Sequence, residues 1–319
     1  MRTEINLVKG HKIYFVSLLL FTILLCLPPK LLFASDTTEI SAKDSQGQRP
    51  VRVVMAAAFV SEAGLDVYSD IFSYLGEKLG QEVEYISGFS YSTINALLDS
   101  GMADVGFICG LPYIMKRDKP QPSVELLLAP VMKDKKYNNK PIYYSYIITH
   151  KDSKFDSFAE LKGSRFVYND EISNSGYNMP RAHLISVGET SGFFGGVVRS
   201  GSHEESIRMV ALGEVDVSAV DSLVYDHALY KKTEYVQQTK IIKILGPAGI
   251  PPVVVSSKIS SSLRQRIKEI LIGMKDDPVG KMVLDKALLD RFTIVKDNNY
   301  DGIRQYLKQA EDTGYRVIR

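Results

Sequence analysis

The chain has 319 residues, more than one hydrophobic core usually organises, so two lobes or domains are expected. Hydrophobic residues at 45% and charged residues at 24% are ordinary for a globular protein and exclude a disordered or fibrous chain. The net charge of +2 comes from the N-terminal end: residues 1–34 hold Arg2, Lys9, Lys12 and Lys30 against Glu4, and the remainder carries 35 basic against 36 acidic residues. A near-neutral body gives no reason to expect nucleic acid or a membrane surface as partner.

Arg2, Lys9 and Lys12 precede a largely apolar run from Ile13 to Leu27, and Leu32-Phe33-Ala34 supplies a small residue for cleavage. Residues 1–34 therefore read as a secretory signal peptide, too short in its apolar part for an ordinary spanning helix, with an uncleaved membrane-anchored form as the alternative. Leu25 before Cys26 does not suit lipidation. Once the signal is removed only Cys109 remains, so no internal disulfide is expected. Residues 35–50, rich in Ser, Asp, Thr and Gln, read as a flexible leader.

Val51–Ala58 is a short apolar run of the kind buried in a parallel sheet. Val67, Ile71, Tyr74, Leu75 and Leu79 then mark one face of a helix, Glu82–Ile86 a second strand, Tyr91–Asp99 a helix and Val105–Cys109 a strand. This alternation predicts an α/β fold. The stretch Leu98–Ile108 is echoed by Val210–Val220, each a helix end, a Gly stop and a turn through Asp into a buried strand, with Tyr113 and Tyr225 at the same offset. Two lobes of similar plan explain the echo. Tyr143–Thr149 is expected to cross between them. Ile241–Leu245 and then Gly246–Pro252 are expected to return, with Gly and Pro breaking regular structure at the hinge. This places lobe 1 at residues 51–144 and 249–319 and lobe 2 at 145–248. Helices are expected over Leu263–Met274, capped from Ser260-Ser261-Ser262, over Val279–Leu289 and over Tyr300–Gln309, the last pair packing back on lobe 1.

The chemistry gathers around Asp170–Pro180. A short strand, Arg165–Tyr168, precedes this polar loop, and a helix follows it. A helix start presents unpaired N–H groups and partial positive charge, which suits an anion. Ser173, Asn174 and Ser175 add donors, Gly176 lets backbone approach a ligand, and Pro180 fits the first helical turn. A plain helix cap by Ser173 or Ser175 is the alternative. Three further residues stand at places that face a cleft: Tyr91 at a helix start, as ligand group or packing; His203 opening a helix after Gly196–Arg199, as donor or surface residue; and Asp221 ending the echoed strand, as ligand contact or cap. Ser175, His203 and Asp221 do not make a persuasive hydrolase triad, because Ser-Asn-Ser-Gly lacks the Gly-x-Ser-x-Gly elbow. The histidines His150, His183, His203 and His227 lack metal-ligand spacing, and no cofactor or metal is expected.

The motif Asp-x-x-Ser-x-Ser-Gly-x-x-x-Pro at 170–180, Gly-Ser-His at 201–203 and Asp221-Ser222 at a strand end resembles the phosphate/phosphite/phosphonate periplasmic binding proteins of ABC importers, the PhnD-like family. The resemblance spans essentially the whole mature chain. It implies a type II periplasmic binding protein, two α/β lobes joined by two hinge crossings with a ligand cleft between them, and no enzyme. Carried over, Ser173, Asn174, Ser175 and Gly176 hold a phosphorus oxyanion at the helix start, His203 donates from the same lobe, Tyr91 closes from the first lobe and Asp221 meets an oxygen or P–OH. Asn174 stands where many members have Thr. Leu223 and Pro252 stand where members that take aminoalkylphosphonates use acids, and Ile108, beside Cys109, replaces a tyrosine seen in some members. The implied ligand is phosphite, phosphate or a small alkylphosphonate. The implied partner is a membrane permease, with a sensor subunit for a receptor or kinase as the alternative, and a monomer is expected.

Overall fold

In the computed structural model, residues 49–55, 65–86 and 90–319 are described, apart from the side chains of 65–67. The signal at 1–34, the leader up to residue 48, Ala56–Ala58 and Gly88-Phe89 lie outside the described residues.

Strand β1 (Val51–Met55), α1 (Leu65–Leu79), β2 (Val83–Ile86), α2 (Tyr91–Ser100), β3 (Val105–Phe107), α3 (Gly110–Arg117) and β4 (Val124–Met132) come first. The chain then passes through 133–141 into β5 (Ile142–His150), β6 (Arg165–Tyr168), α4 (Met179–Ser186), β7 (Gly196–Arg199), α5 (His203–Ala211), β8 (Val217–Asp221), α6 (Ser222–Lys231) and β9 (Thr239–Gly249). It returns through Ile250-Pro251-Pro252 to β10 (Val253–Ser256), α7 (Ser261–Gly273), α8 (Pro278–Lys286), β11 (Leu289–Thr293) and α9 (Asp301–Asp312). One sheet runs β11-β4-β10-β3-β1-β2 and the other β7-β6-β8-β5-β9. The expected lobe limits at 144 and 249 fall inside β5 and at the end of β9.

The two sheets repeat one plan. In the first, β1 pairs in parallel with β2 and β3, and β10 joins β3 antiparallel. In the second, β6 pairs in parallel with β7 and β8, and β5 joins β8 antiparallel. The sequence echo has a matching physical basis. Gly101 (φ 74°) and Gly213 (φ 71°) both take the left-handed conformation that ends a helix without a Cβ penalty. Asp104 accepts the Arg52 N–H at 2.9 Å while the Arg52 guanidinium donates to the Gly101 carbonyl at 2.8 Å. Asp216 accepts the Arg165 N–H at 2.7 Å while Arg165 donates to the Gly213 carbonyl at 3.2 Å. Each Arg–Asp pair thus fastens a helix end to the first residues of a parallel strand, and parallel strands deliver their C-terminal ends, with the helix starts that follow, to one side of the sheet.

Three expectations need correction. Gly246-Pro247 does not break the strand: β9 continues through it, with a cis peptide and a bulge, and pairs Ala248 with Tyr143 and Gly249 with Ile142, so the irregular stretch is Ile250–Pro252. The helix expected to reach Leu289 stops at Lys286, because Leu288 turns the chain at φ 58° and β11 joins β4. The last helix, expected on lobe 1, packs on α3 and also on α4. The segment after it stays on that side: the Ile318 N–H donates to the Tyr177 hydroxyl at 3.0 Å and Arg181 donates to the Arg316 carbonyl at 2.8 Å. Among the described residues no helix is long and apolar enough to cross a membrane.

Candidate functional site

After β6 the chain turns through Asn169 and Asp170, and the Asp170 side chain accepts the Ile172 N–H at 3.1 Å and pairs with Arg199. Ser173 then caps a helix, its hydroxyl accepting the Gly176 N–H at 3.0 Å. The helix opens with a π-turn, Asn174–Asn178, and continues as α4 with Pro180 in its first turn. A π-turn widens the backbone ring and re-aims the side chains at a helix entrance, a device that recurs at functional sites. Ser173, Asn174 and Ser175 are completely buried.

The other three candidates also stand at helix starts. Tyr91 begins α2 behind the Ser90 cap, and His203 begins α5 behind the Ser202 cap. Asp221 ends β8 and caps α6 through the Leu223 N–H at 2.9 Å. Folding brings them to the Ser-rich turn. Ser175 donates to Asp221 Oδ2 at 3.1 Å, and its hydroxyl lies 3.5 Å from His203 Nε2. Tyr91 reaches in from the first sheet, accepting from Asn169 Nδ2 at 3.3 Å. Asn174 is used differently: its amide donates to the Tyr143 hydroxyl at 2.9 Å and accepts from Asn178 at 3.0 Å, so both ends of the side chain are committed to the protein. Gly176 is required by contact. A Cβ there would lie 1.9 Å from Asn169 Oδ1.

The protonation states follow from burial. The Asp221 backbone N–H points at His203 Nδ1 at 3.4 Å, which makes Nδ1 the acceptor and leaves the hydrogen on Nε2. Burial lowers the imidazole pKa to about 3, so it is neutral and a donor. Burial also raises the Asp221 carboxyl well above the ordinary range. The same geometry rules out a Ser-His-Asp relay. A relay needs the acid on Nδ1–H and a free Nε2 lone pair facing the serine, whereas here Asp221 takes the serine directly and Nε2 carries the proton. None of the described hydrogen-bond partners of Tyr91, Ser173, Ser175, His203 or Asp221 is Lys or Arg. What is offered is a cluster of neutral donors at helix N-termini in a low-dielectric setting, suited to an oxyanion whose charge is matched by hydrogen bonds.

A family model described as "ABC transporter, phosphonate, periplasmic substrate-binding protein" matches residues 53–300. The chain belongs to that family. The phosphonate-transporter binding proteins are transport components, not enzymes, consistent with the His203 tautomer. Over 249 residues the chain is 21% identical to the probable ABC transporter phosphite binding protein PhnD1 of Prochlorococcus marinus (strain MIT 9301), a match covering 76% of this chain and 83% of that protein. Its fold is similar to that of a binding protein component of an ABC phosphonate transporter from Pseudomonas aeruginosa (TM-score 0.74, 20% identity, 84% of this chain and 89% of that one). It is similar also to PhnD1 from Prochlorococcus marinus in complex with methylphosphonate (TM-score 0.72, 19% identity, 83% and 98%). The fold is the type II periplasmic binding fold.

In this phosphonate-transporter family member, several residues at the cluster escape a reading by motif. Tyr143 and Ser145 belong to the buried strand β5, and Ser145 donates to the Ser175 carbonyl at 2.7 Å. Cys109 stands just before α3 and its sulfur accepts the Asn174 N–H at 3.3 Å; burial raises the thiol to about 11, keeping it protonated. Tyr68 of α1 is buried near Asp221, and burial raises its phenol pKa. Polar residues in the apolar strand β5 were an available signal for Tyr143 and Ser145. Tyr68 lies on the same apolar helix stripe as Ile71 and Leu75 and looks like core.

Proposed function

We propose that this chain captures a small phosphorus oxyanion, namely phosphite, phosphate or a small alkylphosphonate, in a cleft between its two sheets and hands it to a membrane permease. The observation that carries the reading is the meeting of Ser175, His203 Nε2–H and Asp221 at the start of the π-turn helix. On this reading Ser173, Ser175, Gly176 and the helix N-terminus hold the anion from one side, His203 donates through Nε2, Tyr91 donates from the opposite sheet, and Asn174 holds the turn through Tyr143. A neutral Asp221 offers one O–H to an unprotonated ligand oxygen, or as carboxylate accepts a P–OH, which sulfate lacks.

Hydrogen bonds to a charged group contribute about 1.5–3 kcal/mol each, and four or five of them, offset by desolvation and ordering, reach the roughly 8 kcal/mol of a micromolar complex. The two lobes, with limits near 144 and 249, close by movement where the chain passes between the sheets, at 133–141 and 250–252. Residues 1–34 export the chain to the periplasm. Leu223, buried beside Asp221, provides no charge for an ammonium group, which disfavours 2-aminoethylphosphonate.

The test is a thermal-shift and calorimetric panel on the purified protein with phosphite, phosphate, methylphosphonate, 2-aminoethylphosphonate and sulfate. Saturable binding of one or more of the first three, with weak or no response to the last two, is the expected outcome. A preference for sulfate, or no response to any, contradicts the reading.

A further inference from the structure

We propose that Asn169 is a positioning residue for ligand recognition: its amide holds the Tyr91 hydroxyl so that the phenol donates its hydrogen to the bound anion. The inference rests on the reading of Tyr91 as a ligand group, and it adds a residue that lies outside the Ser-rich motif.

Asn169 sits between the parts that must meet. It follows β6, is fully buried, and its carbonyl accepts the Gly201 N–H at 3.0 Å, two residues before His203. Its Nδ2 donates to the Tyr91 hydroxyl at 3.3 Å, linking the turn after β6 in the second sheet to the start of α2 on the first. A phenol oxygen that accepts from the Asn169 amide keeps its own hydrogen for another acceptor. An anion beside Ser175 and His203 is such an acceptor.

The other end of the amide argues that the residue is not kept for the fold. Asn169 Oδ1 is buried and has no hydrogen-bond partner among the described residues. It abuts Gly176, and the point where a Gly176 Cβ would sit is 1.9 Å from Oδ1 and 3.2 Å from His203 Cε1. An unmet buried acceptor is destabilising. One bond gained and one acceptor orphaned is a poor exchange for stability alone, but it orients a donor across the cleft. An acid at the same place would do the opposite, since a carboxylate would take the phenol hydrogen for itself and repel the anion.

The experiment compares wild type, Asn169→Ala, Asn169→Asp, Tyr91→Phe and the Asn169→Ala/Tyr91→Phe double variant by calorimetric titration with phosphite, phosphate and methylphosphonate, and by thermal unfolding without ligand. Asn169→Ala and Tyr91→Phe should each weaken binding by about tenfold, the double variant by no more than either single one, and Asn169→Asp by more than Asn169→Ala. The unliganded Tm of Asn169→Ala should be unchanged or higher, which a residue serving only to pack the fold would not allow. Wild type that binds while Asn169→Ala binds equally well overturns the proposal, as do losses that add in the double variant or a lowered unliganded Tm. Wild type that binds none of the three anions overturns both this inference and the proposed function.

Discussion

Removing Asp221 or His203 should tilt the pH dependence of stability in opposite directions. Burial lowers the His203 pKa from 6.5 to about 3, so between those values the unfolded chain binds a proton that the folded one refuses, and stability from this residue is lost as pH falls. Burial raises Asp221 well above 3.8, so above 3.8 the folded chain holds a proton that the unfolded one has released, and stability from this residue is lost as pH rises. Between pH 4.5 and 5.5 the His203 contribution changes by about 1.4 kcal/mol per pH unit, and the Asp221 contribution runs in the opposite direction, so in the wild type the two offset each other. Asp221→Asn leaves the histidine slope and His203→Gln leaves the aspartate slope. At about 2–4 °C per kcal/mol for a chain of this size, the Tm of His203→Gln should fall by roughly 3–6 °C relative to wild type over that unit, and that of Asp221→Asn should rise. Thermal unfolding of the three proteins in matched buffers reads this directly. Parallel Tm curves would refute the assignment of a neutral imidazole beside a protonated carboxyl.

Other outcomes follow from the packing. Gly176→Ala should cost about 1–3 kcal/mol of stability through overpacking against Asn169 and abolish tight ligand binding, measured by urea unfolding and calorimetry, and an unchanged variant would show that the contact is relieved freely. Asp104→Ala should destabilise by about 2–3 kcal/mol and Asp216→Ala by about 1 kcal/mol, because Asp104 is 2% exposed where Asp216 is 32% exposed, so the second pair is solvent-screened; equal losses in urea unfolding would contradict this. The Cys109 thiol, buried and held protonated, should react slowly with a disulfide reagent and more slowly still with saturating ligand, because its sulfur sits under the Asn174 N–H where the two sheets meet; a ligand-independent rate would mean that closure does not cover it.

The legible parts of the molecule were those with local causes. The paired turns at Gly101–Asp104 and Gly213–Asp216 could be read because left-handed glycine and a capping aspartate leave a mark in consecutive residues. Ser173, Gly176 and Pro180 could be read as a helix entrance for the same reason, and His203 and Asp221 as helix-start residues. The π-turn could not, since nothing in Asn-Ser-Gly-Tyr-Asn separates it from an α-turn. Strand β11 was hidden because apolar residues at helical spacing continue past Lys286 to Leu289, and only pairing with β4 decides between helix and strand. Asn169 and Cys109 join the cluster through contacts spanning 78 and 65 residues of chain, which no local pattern encodes. The tie from Ile318 to Tyr177 is of the same kind.

The central claim is that the Ser175 turn holds a phosphorus oxyanion. Calorimetric titration of methylphosphonate, phosphite and phosphate into wild type and Ser175→Ala puts this to the test. Wild type should bind at least one of them saturably and one-to-one, and the variant should lose about 10- to 100-fold in affinity, the worth of one hydrogen bond to a charged group. Equal affinity in the two proteins would contradict it, leaving Ser175 a partner of Asp221 and nothing more.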